Sequence, residues 1–208
     1  LINASCQFCK NDNTTTLYII DGMYDDPRKF NVVQCLDCSL IYINPRCSKQ
    51  ENVELYEEKY FTANTLDPSG NNRCVISEKE SKIRDHKIDC AHLTKYKKSG
   101  RILDFGSGLG FFLDALEGNW EKHAVDTSNF AINYIQNPMI KKFRGTLHEA
   151  RYKDKYFDAI YIGNTLDRLT NLDAVIIELE RILKDGGVIL VYTPNIQSFC
   201  AKVFKDKH

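Results

Sequence analysis

The stretch Leu103-Asp104-Phe105-Gly106-Ser107-Gly108-Leu109-Gly110 decides how this chain of 208 residues is read. Arg101 to Phe105 is short and apolar and predicts a buried strand; Gly106 to Gly110 is a glycine turn, and Phe111 to Leu116 opens a helix. Strand, glycine turn and helix in that order form the βα unit with which open α/β sheets hold nucleotide-like ligands. Outward from it, strands are predicted at Lys122 to Val125, Phe157 to Ile162 and Val188 to Thr193, with a weaker one near Lys141 to Arg144, and helical segments between them. This alternation predicts an α/β fold, a Rossmann-like and mostly parallel sheet with helices on both faces.

The glycine pattern itself narrows the ligand. Dinucleotide sites call for G-x-G-x-x-G or Ala, and Phe111 occupies the final place here, so the loop reads G-x-G-x-G. Asp104, two residues before the first glycine, suits a ligand bearing an ammonium group better than a pyrophosphate. Asp126 stands 20 residues after Gly106 at the end of Ala124-Val125-Asp126, the position from which a carboxylate accepts hydrogen bonds from ribose hydroxyls. Capping of a helix over Ser128 to Ile135 is the other reading of Asp126, and both roles can coexist.

Upstream, Cys6-Gln7-Phe8-Cys9 and Cys35-Leu36-Asp37-Cys38 are two CxxC pairs separated by 25 residues. Two such knuckles, each aiming two thiolates at one point, complete the closed tetrahedral site of a structural zinc, with Thr14 to Ile20 and Lys29 to Gln34 as a hairpin between them. Two disulfides, or a chance pairing of thiols, are the alternatives. A segment this short buries little core alone, so metal would supply its folding energy. Cys47, Cys74, Cys90 and Cys200 have no such partners and read as ordinary thiols.

Ser48 to Phe61 carries periodic Val53, Leu55, Tyr56, Tyr60 and Phe61 and predicts a short amphipathic helix; the aromatic residues either dock it or form a lid over a pocket. Asn64 to Arg73 is a loop rich in Asn, Ser, Gly and Pro, and Ser77 to Lys97 predicts a long helix stopped at Ser99-Gly100. The expected domains are therefore a zinc ribbon at 1–47, a helical linker and loop at 48–76, and the ligand-binding domain at 77–208. Lys+Arg and Asp+Glu both number 28, so no overall field favours nucleic acid or membrane. With neither a membrane-length apolar run nor a signal-peptide pattern, the chain is expected to be cytoplasmic.

Taken in order, LDFGSGLG, AVDTS, YFDAIYIGNTLDRL and ELERILKDGGVILVYTPN resemble the class I S-adenosylmethionine-dependent methyltransferases over about Arg101 to Asn195. The double CxxC, the Leu55-Tyr56 to Tyr60-Phe61 segment and Thr193-Pro194-Asn195 are similar to a bacterial group with an N-terminal zinc ribbon that includes deoxysugar C-methyltransferases. The resemblance implies that Asp104 and the loop of Gly106, Ser107, Gly108 and Gly110 hold the methionine part of S-adenosylmethionine. It places Asp126 and Thr127 at ribose and adenine, Thr146 and Leu147 beside adenine, and Asn164 facing the sulfonium. Cys6, Cys9, Cys35 and Cys38 would hold zinc. Family members commonly read Glu-His-Leu after the fourth strand, where this chain has Asp167-Arg168-Leu169; Asp167 keeps the acid as the catalytic candidate, the histidine is missing, and His148 reads as a surface residue. The superfamily's sheet usually continues with two more strands after Asn195, so the C-terminal strands are expected to be missing here, and the absence of an initiator Met agrees with a trimmed sequence.

The expected function is methylation of a small molecule, such as a nucleotide sugar or polysaccharide precursor, with zinc structural. The alternatives are RNA methylation with the ribbon as docking module, or a degenerate domain that binds cofactor or a protein without turnover. Cys6 to Cys38 counts against nucleic acid: Lys10, Arg28 and Lys29 face Asp12, Asp21, Asp25, Asp26 and Asp37.

Overall fold

The computed structural model describes residues 1–22, 26–63, 65–66 and 72–199, which fall into two compact units. Cys200 and Asp25 lie outside the described residues, as does most of the expected 64–73 loop. Among the described residues no helix is long and apolar enough to cross a membrane.

The first unit is built on a three-stranded antiparallel sheet. Strands β1 (Thr14–Asp21) and β2 (Lys29–Cys35) form the expected hairpin, with a bulge between Thr16 and Tyr18, and β3 (Ile41–Ile43) pairs with β2. Helix α1 (Lys49–Leu55) opens on a capping box: the Ser48 amide donates to Glu51 at 2.8 Å and the Glu51 amide to the Ser48 hydroxyl at 3.3 Å. The single helix expected over Ser48 to Phe61 is in fact two, because Tyr56 and Glu57 break it before α2 (Glu58–Thr62), which belongs to the second unit. The expected loop contains a minimal antiparallel pair, β4 (Thr65–Leu66) and β5 (Asn72–Arg73).

The second unit carries α3 (Lys79–Thr94), β6 (Gly100–Phe105), α4 (Phe111–Ala115), β7 (Trp120–Asp126), α5 (Asn129–Tyr134), β8 (Ile140–Arg144), β9 (Phe157–Gly163), α6 (Leu172–Ile182) and β10 (Leu183–Tyr192). Gly100 does not stop the helix: α3 ends at Thr94 with Lys95 still right-handed, and Gly100, at φ +124°, opens β6 instead. The five strands are parallel in the order β10-β9-β6-β7-β8. Chain order thus runs outward from β6 to β8 and then restarts on β6's other side at β9, which leaves a switch point at the carboxyl ends of β6 and β9.

Alternate residues of these strands feed two cores. Ile102, Ala124, Ala159 and Tyr161 pack with Leu93 of α3, Phe112 and Leu113 of α4 and Ile132 of α5. Leu103, Phe105, Val125, Ile160 and Ile162 pack with Val175, Leu179 and Ile182 of α6. A sheet buried on both faces needs near-continuous apolar strands, which is why the central ones read so clearly from sequence. Within the first core Phe112 stacks on Tyr161, ring centroids 3.6 Å apart, and both are almost fully buried. Phe112→Ala is expected to lower stability by about 3–5 kcal/mol, the range for emptying a buried aromatic position; urea unfolding followed by far-ultraviolet circular dichroism reads it, and a loss below about 1 kcal/mol would remove the stack from the core.

Candidate functional site

The glycine loop leaves β6 at the switch point and its conformation depends on glycine. Gly106, Gly108 and Gly110 all have positive φ, at 77°, 49° and 78°. At Gly106 a Cβ would come within 2.2 Å of the Thr165 hydroxyl, so the loop after β6 touches the loop after β9 at a point with no space for a side chain. Asp126, at the end of β7, fastens the loop from the other side. Its carboxylate accepts from the Gly108 amide at 2.8 Å and from the Ser128 amide at 2.9 Å. Ser128, not Asp126, is the N-cap of α5, accepting from Ala131 at 3.2 Å. Asp126 thus prepares the cap through a turn and keeps lone pairs to spare, since a carboxylate accepts about four hydrogen bonds.

Asp104 is 2% exposed and points to the face of β6 that carries Ile102. Burial, with a smaller contribution from the charge of Asp126, pushes its pKa well above the usual carboxylate range, and no hydrogen bond reaches its carboxylate among the described residues. The Ser107 hydroxyl is buried and also lacks a hydrogen-bond partner among the described residues. Burial raises Asp126 as well, against the pull of the Ser128, Gly108 and Thr127 amides. The loop therefore gathers Asp104, Ser107 and Asp126 with unused hydrogen-bonding capacity.

The other predicted residues are placed less uniformly. Asn164, at φ 49°, sits directly after β9, exposed, with its amide donating to Tyr192 of β10 at 2.8 Å. Asp167 is exposed in the single turn Leu166–Arg168 that follows, its ion pair with Arg168 at 3.8 Å. Thr146 is engaged locally, its amide and hydroxyl donating to Glu149 at 2.7 and 2.8 Å, and Leu147 is buried in the second core. His148 is exposed. A cleft of about 590 Å³ is lined by Lys79, Leu109, Asp114 and Tyr134, and neither Asp104 nor Asp126 is among its lining residues.

Sequence reasoning missed Glu57. Its carboxylate accepts from the Ser128 hydroxyl and from the Asn129 and Phe130 amides at 3.0–3.1 Å, clasping the start of α5 beside Asp126. Burial works against its ionisation, but these donors outweigh burial and hold its pKa below the usual range. Seventy residues separate the partners, so nothing local to Glu57 signals the contact.

The four cysteine sulfurs of the first unit lie within 4.8 Å of one another. Cys6 and Cys38 are 3.4 Å apart and Cys9 and Cys35 3.5 Å, far beyond the roughly 2.05 Å of a disulfide. These spacings approach the roughly 3.8 Å edge of a tetrahedron with zinc–sulfur bonds of about 2.3 Å. Both knuckles turn alike: Lys10 and Ser39, each four residues after the leading cysteine, have φ 65° and 67° and donate back to Cys6 and Cys35. Burial opposes ionisation of Cys6, but the Cys9 and Phe8 amides bring it down to about 7. The Asn11 amide favours the Cys9 thiolate, yet burial and the neighbouring sulfurs push that thiol up to about 12. Four sulfurs this close could all be thiolates only with a cation between them.

With this geometry in place, comparison with known proteins identifies the domain. A family model described as a methyltransferase domain matches residues 77–208. The chain belongs to this methyltransferase family. Over 122 residues it is 28% identical to the protein MJ1123 of Methanocaldococcus jannaschii, covering 59% of this chain and 58% of that protein. Over 118 residues it is 27% identical to the ubiquinone/menaquinone biosynthesis C-methyltransferase UbiE of Neisseria meningitidis, covering 50% and 45%. The chain thus spans about half the length of the curated relatives it matches. In fold it is similar to the PH0226 protein of Pyrococcus horikoshii, with TM-score 0.53 and 19% identity over 77% of this chain and 68% of that one. It also resembles a Methanococcus maripaludis protein assigned as an S-adenosylmethionine-dependent methyltransferase, with TM-score 0.51 and 21% identity over 62% and 67%. These two establish the α/β fold.

For this methyltransferase domain the Glu57 clasp has a pH signature. A carboxyl held below its unfolded pKa contributes stability above that unfolded value and loses it as pH falls through the folded one. Glu57→Gln should therefore cost about 1 kcal/mol at neutral pH, the scale of a helix cap, and the gap to wild type should close below the ordinary carboxylate range. Urea midpoints measured from pH 7 to pH 3 read this, and a gap that persists at pH 3 would assign the loss to packing.

Proposed function

We propose that this chain is an S-adenosylmethionine-dependent methyltransferase acting on a small molecule, with a nucleotide sugar or polysaccharide precursor as the leading candidate, and that its four-cysteine cluster is a structural zinc site. The observation that carries the cofactor assignment is the buried Asp104 carboxylate, which meets no hydrogen-bond donor among the described residues, together with the Ser107 hydroxyl three residues on, which also has no partner among them. Such a pair fits an amino-acid end group, the carboxylate taking its ammonium and the hydroxyl its carboxylate, and it repels a pyrophosphate.

Asp104, Ser107 and the amides of Gly106 and Gly108 would hold the methionine part, Gly110 sets the exit of the loop, and Asp126 with Thr127 would hold the ribose. Thr146 and Leu147 would border the adenine, and Asn164 would face the reacting centre. When bound, the cofactor supplies a methyl group on a good leaving group. The chain's own contribution is alignment and exclusion of water. Asp167, exposed at the same sheet edge, is the carboxylate we assign to proton acceptance where the acceptor must lose one. Such a base contributes about 100- to 10,000-fold.

Calorimetric titration tests the assignment. S-adenosylmethionine should bind, NAD should not, and Asp126→Ala should weaken the former at least about tenfold, the loss of a charge-assisted pair of bonds; preferential binding of NAD would overturn the reading. For the ribbon, elemental analysis should find one zinc per chain, lost in Cys35→Ser/Cys38→Ser, and an unchanged zinc content in that variant would end the zinc assignment.

A further inference from the structure

The surroundings of Arg168 are those of a binding residue. It closes the single turn that follows β9, in the loop whose Thr165 meets Gly106. Its guanidinium carbon lies 4.7 Å from the ring centroid of Tyr56 and 6.0 Å from that of Tyr60, rings that themselves meet edge to face at 4.9 Å. The two tyrosines, through their ring faces and through hydrogen bonds to their hydroxyls, hold the guanidinium in one orientation. Its only ion pair among the described residues is the long 3.8 Å contact from Nε to Asp167. Arg28 and Arg181 differ: the former is bound by Asp26 and Glu51, the latter by Glu178, Asp154 and the Tyr152 carbonyl.

A planar cation fixed by rings and left without a close carboxylate, at the carboxyl edge of the sheet, is prepared for an incoming oxyanion. We propose that Arg168, held by Tyr56 and Tyr60, forms an anion subsite that binds a phosphate or carboxylate group of the methyl acceptor. This rests on the methyltransferase reading. The acceptor class is then anionic, met by a permanent positive charge at Arg168.

The test uses the whole chain saturated with S-adenosylhomocysteine, titrated with inorganic phosphate and separately with acetate, and read at the Arg168 side-chain Nε–H by nitrogen-15 NMR and by calorimetry. A saturable shift of that signal with one of the two anions is expected and names the anion. Arg168→Met should weaken that anion at least about tenfold with S-adenosylhomocysteine affinity unchanged, and Arg168→Lys, which keeps charge but loses the planar fork, should weaken it less. No shift with either anion, or equal anion affinity in wild type and Arg168→Lys, overturns the proposal while leaving the methyltransferase reading intact. Failure of the wild type to bind S-adenosylhomocysteine overturns that reading instead. Should Arg168→Met not fold, the wild-type signal and the lysine variant decide.

Discussion

The hydrogen bond from the Gly108 amide to the Asp126 carboxylate is the contact on which the site depends. A loop with three left-handed glycines at alternate positions has little reason to hold one shape, because glycine loses more freedom on ordering than any other residue. Asp126 offsets that cost. One oxygen takes Gly108 and the other takes Ser128, so a single side chain fixes the glycine turn and the start of α5 together. Glu57 then takes the next amides of α5, which ties α2 and its aromatic residues to the same point. The cradle is thus assembled by backbone amides meeting carboxylates, the pairing that a helix start favours.

What could be read in the sequence divides along the range of the interactions. The central strands β6 and β9 are buried on both faces and therefore mostly apolar, with Arg101, Asp104 and Asp158 as their charged exceptions, and their boundaries follow from composition. The knuckles are equally local, a CxxC and one left-handed residue each. The break between α1 and α2 was hidden, because Tyr56 and Glu57 keep helical periodicity with their neighbours while their side chains are committed elsewhere: Glu57 to amides more than seventy residues away, Tyr56 to Arg168. A local signal did exist at the front of α1, where Ser48-Lys49-Gln50-Glu51 is a capping-box pattern that also marks Glu51 as fixed. Its carboxyl is brought down to about 2, by the Ser48 amide first and by Arg28 next.

Gly100 shows the same limit from the other direction. A glycine after a periodic helix reads as a helix stop, yet its left-handed φ serves the entry to β6, where a Cβ would meet the Asp158 carboxylate at 2.5 Å. That carboxylate accepts from the Arg101 amide at 2.9 Å and from Lys184 of β10, joining three strands at the amino edge of the sheet. The glycine is required by a neighbour far along the chain, and its sequence context gives no hint of which.

Electrostatics link the two ends of the proposed crevice. Asp104 and Asp126 repel each other, Glu57 adds to the repulsion at Asp126, and burial strengthens it. A fold could relieve this with an internal arginine, as Arg181 relieves buried Glu178 on α6. Here the arginine on the facing loop is instead turned onto Tyr56 and Tyr60, and among the described residues no cation pairs with Asp104. Burial disfavours the uncompensated carboxylate and favours its protonated form, and a ligand that brings its own positive charge would shift that balance back to the carboxylate. On the proposed reading that ligand is the cofactor, whose ammonium meets Asp104, while the positive charge held back on Arg168 remains for the acceptor. Cofactor and acceptor would then be sorted by opposite signs of charge along one sheet edge, before any contact specific to either is made.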